Sequence, residues 1–482
     1  MAAVVPPARC FSNGSHLIWG SREGTAFHPE RRRPQLAEKA PVRHSERSLR
    51  SEARFSIARF LCDESLFSWA FTDLPKCAAL LLLAVAWLPN SAVAQDESTP
   101  RTPYATLDRN SVAYRGPGRE NAADLQGATV KIGLLLPLQG ASAVDGQSLL
   151  AAADMALAEE EALGPLADGR HLALAVRNQA EQWGQASSAM VQLIAEEQVA
   201  ALITSSDGNI AHQAEQIANK IGIPIVTLAS DATTTQINIP WIFRLGPSDE
   251  DQARAIAAQI YQTALAKKVL LLVETDHDGR VGGEEFEKAV KHLHGTPPER
   301  WVISSSSPDL EAIVARAHAS APDAVVLWTS SPLAARFLPL LSANNFARPV
   351  YLCRKAAASV AGSAFDLADG GTSDPRGLPQ GTWVTALSTG ATRSDTLAFQ
   401  ERYRAKTGAW PSFAAMQTYD AVHLVAHALR VSGANRSRLR DYLAAGNRFP
   451  GISGAIAFDP AGNTLGDTHL IRISSTSRPP AL

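Results

Sequence analysis

Cysteine is scarce in this sequence. The chain has 482 residues and four cysteines, which are scattered singly at Cys10, Cys62, Cys77 and Cys353. No CxxC pair occurs, so neither a structural zinc site nor a disulfide framework is supported.

The sequence also lacks an excess of positive charge. It has 45 Lys and Arg residues against 47 Asp and Glu residues, a formal net charge of −2. A protein that holds nucleic acid by neutralising phosphates normally carries a clear basic excess, so we expect no nucleic-acid partner. The catalytic motifs GxSxG, GxxxxGK[ST], GxGxxG and HExxH are absent as well. Cys353 has no assigned histidine partner, and we expect no enzymatic activity, no cofactor and no metal.

The conspicuous hydrophobic run is too short to span a bilayer, which needs about 20 residues. It covers Cys77–Leu88 (CAALLLLAVAWL), follows Lys76, and precedes the small-residue sequence Ala92-Val93-Ala94. A short apolar core followed by a small-x-small site is typical of a secretory signal peptide. We therefore expect residues 76–94 to be a signal peptide that exports the protein. Residues 1–75 are then expected to be a mis-annotated or disordered extension.

The rest of the chain begins with a polar segment and continues as alternating strands and helices. Residues 95–128 are rich in Pro and Gly and predict a linker or loosely docked arm. Short apolar runs then alternate with stretches of helical spacing, which predicts an α/β fold with parallel sheets covered on both faces. Near the chain end, Ile452–Phe458 and Leu470–Ser474 flank a turn at residues 459–463. This pattern predicts a β-hairpin.

Six segments of the chain carry a family resemblance. They are KIGLLLPLQG (131–140), IANKIGIPIVTLASDAT (217–233), WIFRLGPSDEDQARAIA (241–257), PDAVVLWTSS (322–331), QTYDAVHLVAHAL (417–429) and GISGAIAFDPAGN (451–463). In this order and spacing they resemble the type I periplasmic solute-binding proteins. The similar branch is the one that serves ABC importers of branched-chain amino acids, amides and related small acids. The resemblance covers Val130 to Ile473.

The resemblance implies a two-lobed periplasmic-binding-protein type I fold, in which each lobe is a parallel sheet flanked by helices. The lobes would be joined by hinge crossovers near Phe243–Pro247, near Gly381–Ala386 and after Phe458. The N-terminal lobe would comprise residues 129–246 plus 387–450. The C-terminal lobe would comprise residues 247–381 plus 451–482, with part of the chain end crossing the hinge.

The resemblance also implies a function. A periplasmic monomer would bind a small molecule between its lobes, close by hinge motion, and present the closed form to an ABC permease in the inner membrane. Such a protein is not an enzyme.

The candidate ligand loops of the first lobe follow two strands. In the family, the loop that here holds Ser206, Asp207, Gly208 and Asn209 binds the ligand carboxylate. Free backbone N–H groups at the start of a helix suit an anion, although simple helix capping explains the same residues. The loop with Ser230, Asp231 and Thr233 matches the family's second binding loop, and again N-capping is the alternative.

The candidate residues of the second lobe depart most from the family. Trp328 and Ser330 follow a strand, and Ser330 stands about where amino-acid binders commonly carry a tyrosine. Arg354 and Lys355 stand about where those binders carry a glutamate for the ligand ammonium. A cation there repels an ammonium, whereas Arg354 offers a planar fork for a carboxylate. The alternative is a solvated surface pair. We therefore expect a small organic acid or anion as the ligand.

Two further features of the sequence are an acidic tripeptide with a histidine and a pair of histidines. Asp276-His277-Asp278 has the composition of a metal cluster, but its family counterpart is a polar turn before a helix, and we interpret it in that way. His423 and His427 are expected to serve packing or capping.

A different class of function also fits the sequence. The same fold would serve as a non-transport sensor or regulatory envelope protein that contacts a protein partner.

Overall fold

The computed structural model describes residues 124–179, 184–236, 239–306, 308–358, 381–388 and 393–473. The expected signal peptide, the expected N-terminal extension and all but the last residues of the polar arm lie outside the described residues. Among the described residues, no helix is both long enough and apolar enough to cross a membrane.

The first lobe is built on a sheet of five parallel strands in the order β2-β1-β3-β4-β5. The continuous apolar run of β1 is buried, as expected of a strand covered on both faces. The strands are β1 (Thr129–Leu136), β2 (His171–Asn178), β3 (Ala201–Thr204), β4 (Ile225–Thr227) and β5 (Ile242–Arg244). Between them lie α1 (Ala143–Ala162), α2 (Gln185–Val191, extended by a π-helical turn Gln192–Glu196), α3 (Gly208–Ile221) and α4 (Thr233–Gln236).

The second lobe is built on a sheet of six strands in the order β13-β10-β9-β8-β6-β7. All neighbours pair in parallel except β13, which pairs antiparallel with β10. The strands are β6 (Val269–Glu274), β7 (Glu299–Ile303), β8 (Ala324–Trp328), β9 (Val350–Leu352), β10 (Thr382–Ser388) and β13 (Asp467–Ile473). The helices are α5 (Asp249–Ala257, extended by a π-helical turn Ala258–Thr263), α6 (His277–His292), α7 (Leu310–Ser320), α8 (Ser331–Ala343) and the short α9 (Arg354–Ala357).

Three more helices and a small ribbon complete the described fold. They are α10 (Arg393–Thr407), α11 (Phe413–Ser432), α12 (Arg436–Ala444), β11 (Phe449–Gly451) and β12 (Gly454–Ile456). The apolar face of α11 packs along α1 of the first lobe and contributes many fully buried residues to the core. The chain therefore passes from the first lobe to the second after β5 and returns after β10, and the last described strand, β13, lies in the second lobe. The residue ranges assigned above to each lobe remain a prediction.

The predicted hairpin at the chain end is wrong. The segment around Gly454–Ile456 pairs with β11, which precedes it, and not with β13. Strand β13 pairs instead along all of β10 and closes the edge of the second sheet. The turn itself is present, because Asp459 Oδ1 accepts hydrogen bonds from the backbone N–H groups of Ala461 and Asn463. This turn docks on β5 through a bridge between Arg244 and Asn463, and the chain on its two sides pairs only at an isolated bridge between Phe458 and Thr464 among the described residues.

Candidate functional site

The loops at the carboxyl ends of the strands from both sheets meet between the lobes. This is where ligands bind to open parallel sheets. We call this region the cleft. The loops after β3 and β4 come from the first lobe, and the loops after β6, β8 and β9 come from the second. Ser331 Oγ of the second lobe, for example, donates a 3.3 Å hydrogen bond to Asp145 Oδ1 at the start of α1.

The loop after β3 is organised by the N-terminus of α3. Asp207 is the N-cap, and its Oδ1 accepts from the Ile210 N–H at 3.2 Å. Ser206 is half-buried in this loop, and Asn209 is exposed in the first turn. The Gly208 N–H donates a 3.0 Å hydrogen bond to Asp278 Oδ1 of the second lobe. The backbone donor that was predicted to receive a ligand carboxylate therefore binds a carboxylate of the chain itself.

Lys355 is held by acidic residues of the second lobe. Its Nζ donates to Asp276 Oδ2 at 3.1 Å and also to Asp278 Oδ2. Burial alone would lower the pKa of Lys355, but the charges of Asp278, Asp276 and Asp207 raise that pKa well above its usual value. The ammonium is thus charged and already paired. Asp278 links the Lys355 ammonium to the first lobe, because it also accepts the hydrogen bond from the Gly208 N–H.

Arg354 is the other predicted cation, and its surroundings differ. Its backbone N–H donates to Gln252 Oε1 at 2.8 Å, which fixes the start of α9. Its guanidinium stacks on the ring of Phe413, the first residue of α11, with 4.7 Å between Cζ and the ring centroid. Within the part of the chain that the structure describes, no carboxylate pairs with this guanidinium. Burial lowers the pKa of Arg354 to about 10, which still leaves it charged at neutral pH.

Asp231 lies at the centre of a histidine cluster. Its Oδ2 is 2.9 Å from His212 Nε2 on α3 and 2.7 Å from His277 Nε2 on α6. Its Oδ1 accepts from the backbone N–H and the hydroxyl of Thr233, at 2.9 and 2.7 Å. Burial alone would raise the pKa of Asp231, but the hydrogen bonds from His212, His277 and Thr233 hold it well below its usual range. Hydrogen bonds to Asp231 and Glu215 raise the pKa of His212 to about 10.

Ser230, Trp328 and Ser330 are all engaged by neighbouring polar groups. The Ser230 carbonyl accepts from the Asp249 N–H at 2.7 Å. Trp328 is buried, and its indole Nε1–H donates to Asp249 Oδ1 at 3.3 Å. The Ser330 N–H donates to Glu274 Oε2 at 2.6 Å. Their predicted contacts with a ligand remain predictions.

Asp249 is a buried carboxyl beneath the cleft. Among the described residues its Oδ2 has no hydrogen-bond partner, and Oδ1 accepts long bonds of 3.3 Å from Trp328 and 3.4 Å from Gln252. Burial, together with the negative charges of Asp278 and Asp231, raises the pKa of Asp249 to about 7. Asp249 is therefore a buried acid beneath the cleft, and its negative charge, once formed, is only weakly compensated by hydrogen bonds.

Several cleft residues were not singled out as site residues from the sequence. Nothing in the local sequence marks Phe413 or His212, and Gln252 lies within the resemblance segment 241–257 without being marked there as a site residue. Their contacts are made across the fold. Asp278 and His277 did carry a signal, since Asp276-His277-Asp278 has the composition of a metal cluster. The family counterpart of that tripeptide predicts a polar turn before a helix. Asp276 does cap α6, with its Oδ1 accepting from the Gly279 N–H at 2.8 Å.

Cys353 is buried between β9 and α9. Its Sγ accepts from the Ala356 N–H at 3.4 Å, and burial raises the pKa of the thiol to about 12. A thiol with such a pKa is almost entirely protonated at neutral pH and is a poor nucleophile.

Comparison with known proteins relates the chain to solute-binding proteins. A family model described as periplasmic binding protein matches residues 129–474. Two solved structures share the fold. One is a branched-chain amino acid transporter substrate-binding protein from Streptococcus pneumoniae in complex with isoleucine. It has a TM-score of 0.59 and 20% identity, and the match covers 72% of this chain and 97% of that chain.

The second structure is an ABC transporter solute-binding protein from R. palustris in complex with benzoate. Its TM-score is 0.59 at 21% identity, and the match covers 71% of this chain and 92% of that chain. Among curated proteins, glutamate receptor 2.7 from Arabidopsis thaliana is 32% identical over 106 residues. That match spans 22% of this chain and only 11% of the receptor's length. The family and its structural neighbours are two-lobed solute-binding proteins of the type I class.

Proposed function

This chain belongs to the periplasmic binding protein family, and from that premise we propose that it is the periplasmic substrate-binding protein of an ABC importer. Its ligand is a small organic anion, with a carboxylate as the expected group, bound between the lobes. The lobes close on the ligand by hinge motion, and the closed form, a monomer, docks on the permease in the inner membrane. The protein performs no catalysis.

The observation that carries this proposal is the environment of Arg354. The guanidinium lies between the lobes, stacked on Phe413, and no carboxylate among the described residues neutralises it. Stacking on the ring face leaves the N–H edge of the fork unengaged by any carboxylate of the described residues, so that it can donate two parallel hydrogen bonds in its own plane. Lys355 is already paired with Asp276 and Asp278, so Arg354 is the cation of this loop that is available to a ligand.

Contacts across the cleft support hinge closure. The Gly208–Asp278, Ser331–Asp145 and Arg354–Phe413 contacts each join one lobe to the other. They form only while the lobes are together. Two neighbours with bound isoleucine and benzoate both carry a carboxylate on their ligand, which agrees with the anion proposed for this chain.

A second function is favoured by one of these same contacts. The amide of Gly208 binds the chain's own Asp278, so the lobes are held together without a ligand carboxylate at that position. This contact is compatible with a non-transport sensor or regulatory envelope protein that contacts a protein partner through this fold. The two functions differ in whether a small anion binds at all.

The test is a thermal-shift panel on protein refolded to remove carried-over ligand. The panel contains aliphatic and aromatic carboxylates, amides, amino acids and inorganic anions. A ligand present at 100 times its Kd adds about 2.7 kcal/mol to the free energy of unfolding, which raises Tm by a few degrees. We expect carboxylates to raise Tm in the wild type but not in Arg354→Ala.

The matched control is Arg316→Ala, because Arg316 also stacks on an aromatic ring, Trp301, but lies on the exposed surface. It should keep the shift. A shift with ordinary amino acids that survives Arg354→Ala would contradict the anion site. No shift across the panel would favour the sensor function.

A further inference from the structure

Two histidines from opposite lobes converge on one oxygen of Asp231. His212 lies on α3 of the first lobe, and His277 is the first residue of α6 in the second lobe. One atom from each of the three side chains can be chosen so that all three atoms lie within 4.8 Å of one another. The two rings meet edge to face, with their centroids 5.5 Å apart. We propose that His212, Asp231 and His277 form a site for a divalent cation of the zinc class that joins the two lobes.

The donor set suits zinc. Two imidazole nitrogens and one carboxylate oxygen are a common zinc-binding set, at about 2.0–2.2 Å from the metal, and they leave one position of a tetrahedron open. The Nε2 atoms now lie 2.9 and 2.7 Å from Asp231 Oδ2. Ligand atoms around tetrahedral zinc are separated by about 3.3 Å at such bond lengths. The two distances to Asp231 would therefore lengthen by only a few tenths of an ångström.

An outer shell of hydrogen bonds already orients two of the ligands. His212 Nδ1 lies 2.8 Å from Glu215 Oε1, which is the carboxylate–histidine arrangement that supports metal-binding imidazoles. Thr233 engages Asp231 Oδ1 through its N–H and its hydroxyl, so that Oδ2 faces the histidines. The hydroxyl of Thr233 also lies 3.1 Å from His212 Nε2.

His277 has a less fixed outer contact. Its Nδ1 lies 3.4 Å from Nη2 of Arg280. When a metal takes Nε2, Nδ1 carries the ring proton, and the guanidinium must move aside. The Arg280 side chain is 57% exposed, so it has room to do so.

The charges around the cluster favour a cation. The side chains of Asp231 and Glu215 are 0% and 3% exposed, and within the part of the chain that the structure describes Glu215 Oε2 is buried without a hydrogen-bond partner. A divalent ion would balance these two carboxylates while the imidazoles are neutral. Metal binding must then release the protons that the histidines donate to Asp231, so that one zinc ion displaces Nε2 protons into the buffer.

The site is tested by zinc titration of the whole protein after treatment with a chelator and dialysis. We expect one zinc ion per chain by calorimetry, proton release that depends on the buffer, and no comparable binding of Mg²⁺. His212→Ala and His277→Ala should each weaken zinc binding at least 100-fold, and Glu215→Gln should weaken it about 10- to 100-fold. His292→Ala is the matched control, because His292 lies exposed at the end of the same helix as His277 and should leave zinc binding unchanged.

X-ray absorption of the zinc-loaded wild type provides a readout that needs no variant. Two imidazoles in the metal shell are expected. The proposal is overturned by the absence of zinc binding, by binding that His212→Ala and His277→Ala leave intact, or by a shell of sulfur or of oxygen alone. This test is independent of the anion bound at Arg354.

Discussion

The backbone N–H of Gly208 in the first lobe donates a 3.0 Å hydrogen bond to Oδ1 of Asp278 in the second lobe. This contact places a carboxylate of the chain at the N-terminus of α3, where partial positive charge and a free donor favour an anion. Asp278 also binds Lys355, so one side chain links the first lobe to the acidic and basic groups of the second.

Gly208→Ala is predicted to separate the lobes. Its backbone conformation is one that alanine can adopt, but a Cβ at this position would overlap with Asp278 Oδ1. We expect an increased radius of gyration by small-angle scattering and a weaker affinity for any ligand bound in the cleft. The double variant Gly208→Ala/Asp278→Ala removes the overlapping oxygen. Because that change also removes the Gly208–Asp278 hydrogen bond, the control is Asp278→Ala alone. The double variant should be no more open than Asp278→Ala, and a more open double variant would refute the assignment of the overlap to Asp278.

Lys355→Met is predicted to be strongly destabilising. It leaves Asp276 and Asp278 close together without their counter-ion, and breaking a buried ion pair on one side costs about 3–5 kcal/mol. Urea denaturation measures this loss. Adding Asp278→Asn should recover part of it, because a buried charge is then removed.

The control for that series is Lys288→Met. Lys288 forms a 2.7 Å ion pair with Glu285, but its side chain is 62% exposed, so the change should cost less than about 1 kcal/mol. Equal losses at positions 288 and 355 would contradict the assignment of Lys355 to a buried pair.

Asp249→Asn is predicted to stabilise the protein at pH 8 but not at pH 4. The pKa of Asp249 is raised from about 3.9 in the unfolded chain to about 7 in the folded one. Below about pH 4 this raised pKa contributes its full share to the free energy of unfolding. That contribution is lost as the pH rises from about 4 to 7. The loss reaches about 4 kcal/mol, at about 1.4 kcal/mol per pKa unit. Asparagine is neutral throughout and has a similar shape.

The measurement is the free energy of unfolding of both proteins from pH 4 to pH 8. The difference, variant minus wild type, should increase with pH across this range. A constant difference, or one that decreases, would show that Asp249 is ionised in the folded protein.

Cys353 is predicted to resist alkylation in the native state. Burial raises the pKa of its thiol to about 12, so little thiolate is present at pH 8, and the sulfur is closed off from reagent. Iodoacetamide labelling followed by mass spectrometry of the peptide that contains Cys353 measures the rate. Rapid labelling without denaturant would contradict the buried position, and labelling in guanidinium chloride is the positive control.

The alternation of strands and helices could be predicted from the sequence because it depends on local patterns. The run that ends at Glu274 and the run Ala324–Trp328 are both strands of the second sheet. The hairpin prediction failed because alternation near Leu470 indicates a strand but not its partner. That strand pairs with β10, which is distant in the chain.

The cleft could be predicted only in part. Strand ends followed by polar loops pointed to the residues around Gly208, Asp231 and Arg354. What these side chains contact could not be predicted, since Phe413, His277 and Asp278 reach them from other elements of the fold. Asp276-His277-Asp278 illustrates this limit. Asp276 caps α6, which depends on neighbouring residues of the sequence. The contacts of His277 and Asp278 with the first lobe depend on the whole fold.

Calorimetry with a matched pair of ligands tests most directly whether Arg354 binds the carboxylate of a small ligand. The pair consists of the carboxylate with the largest thermal shift and its primary amide, which has nearly the same shape without the charge. We predict one site per chain for the carboxylate, and affinity about 10- to 100-fold weaker for the amide, as expected when hydrogen bonds to a charged group are lost. Equal affinities for the two ligands, or a preference for the amide, would contradict the account.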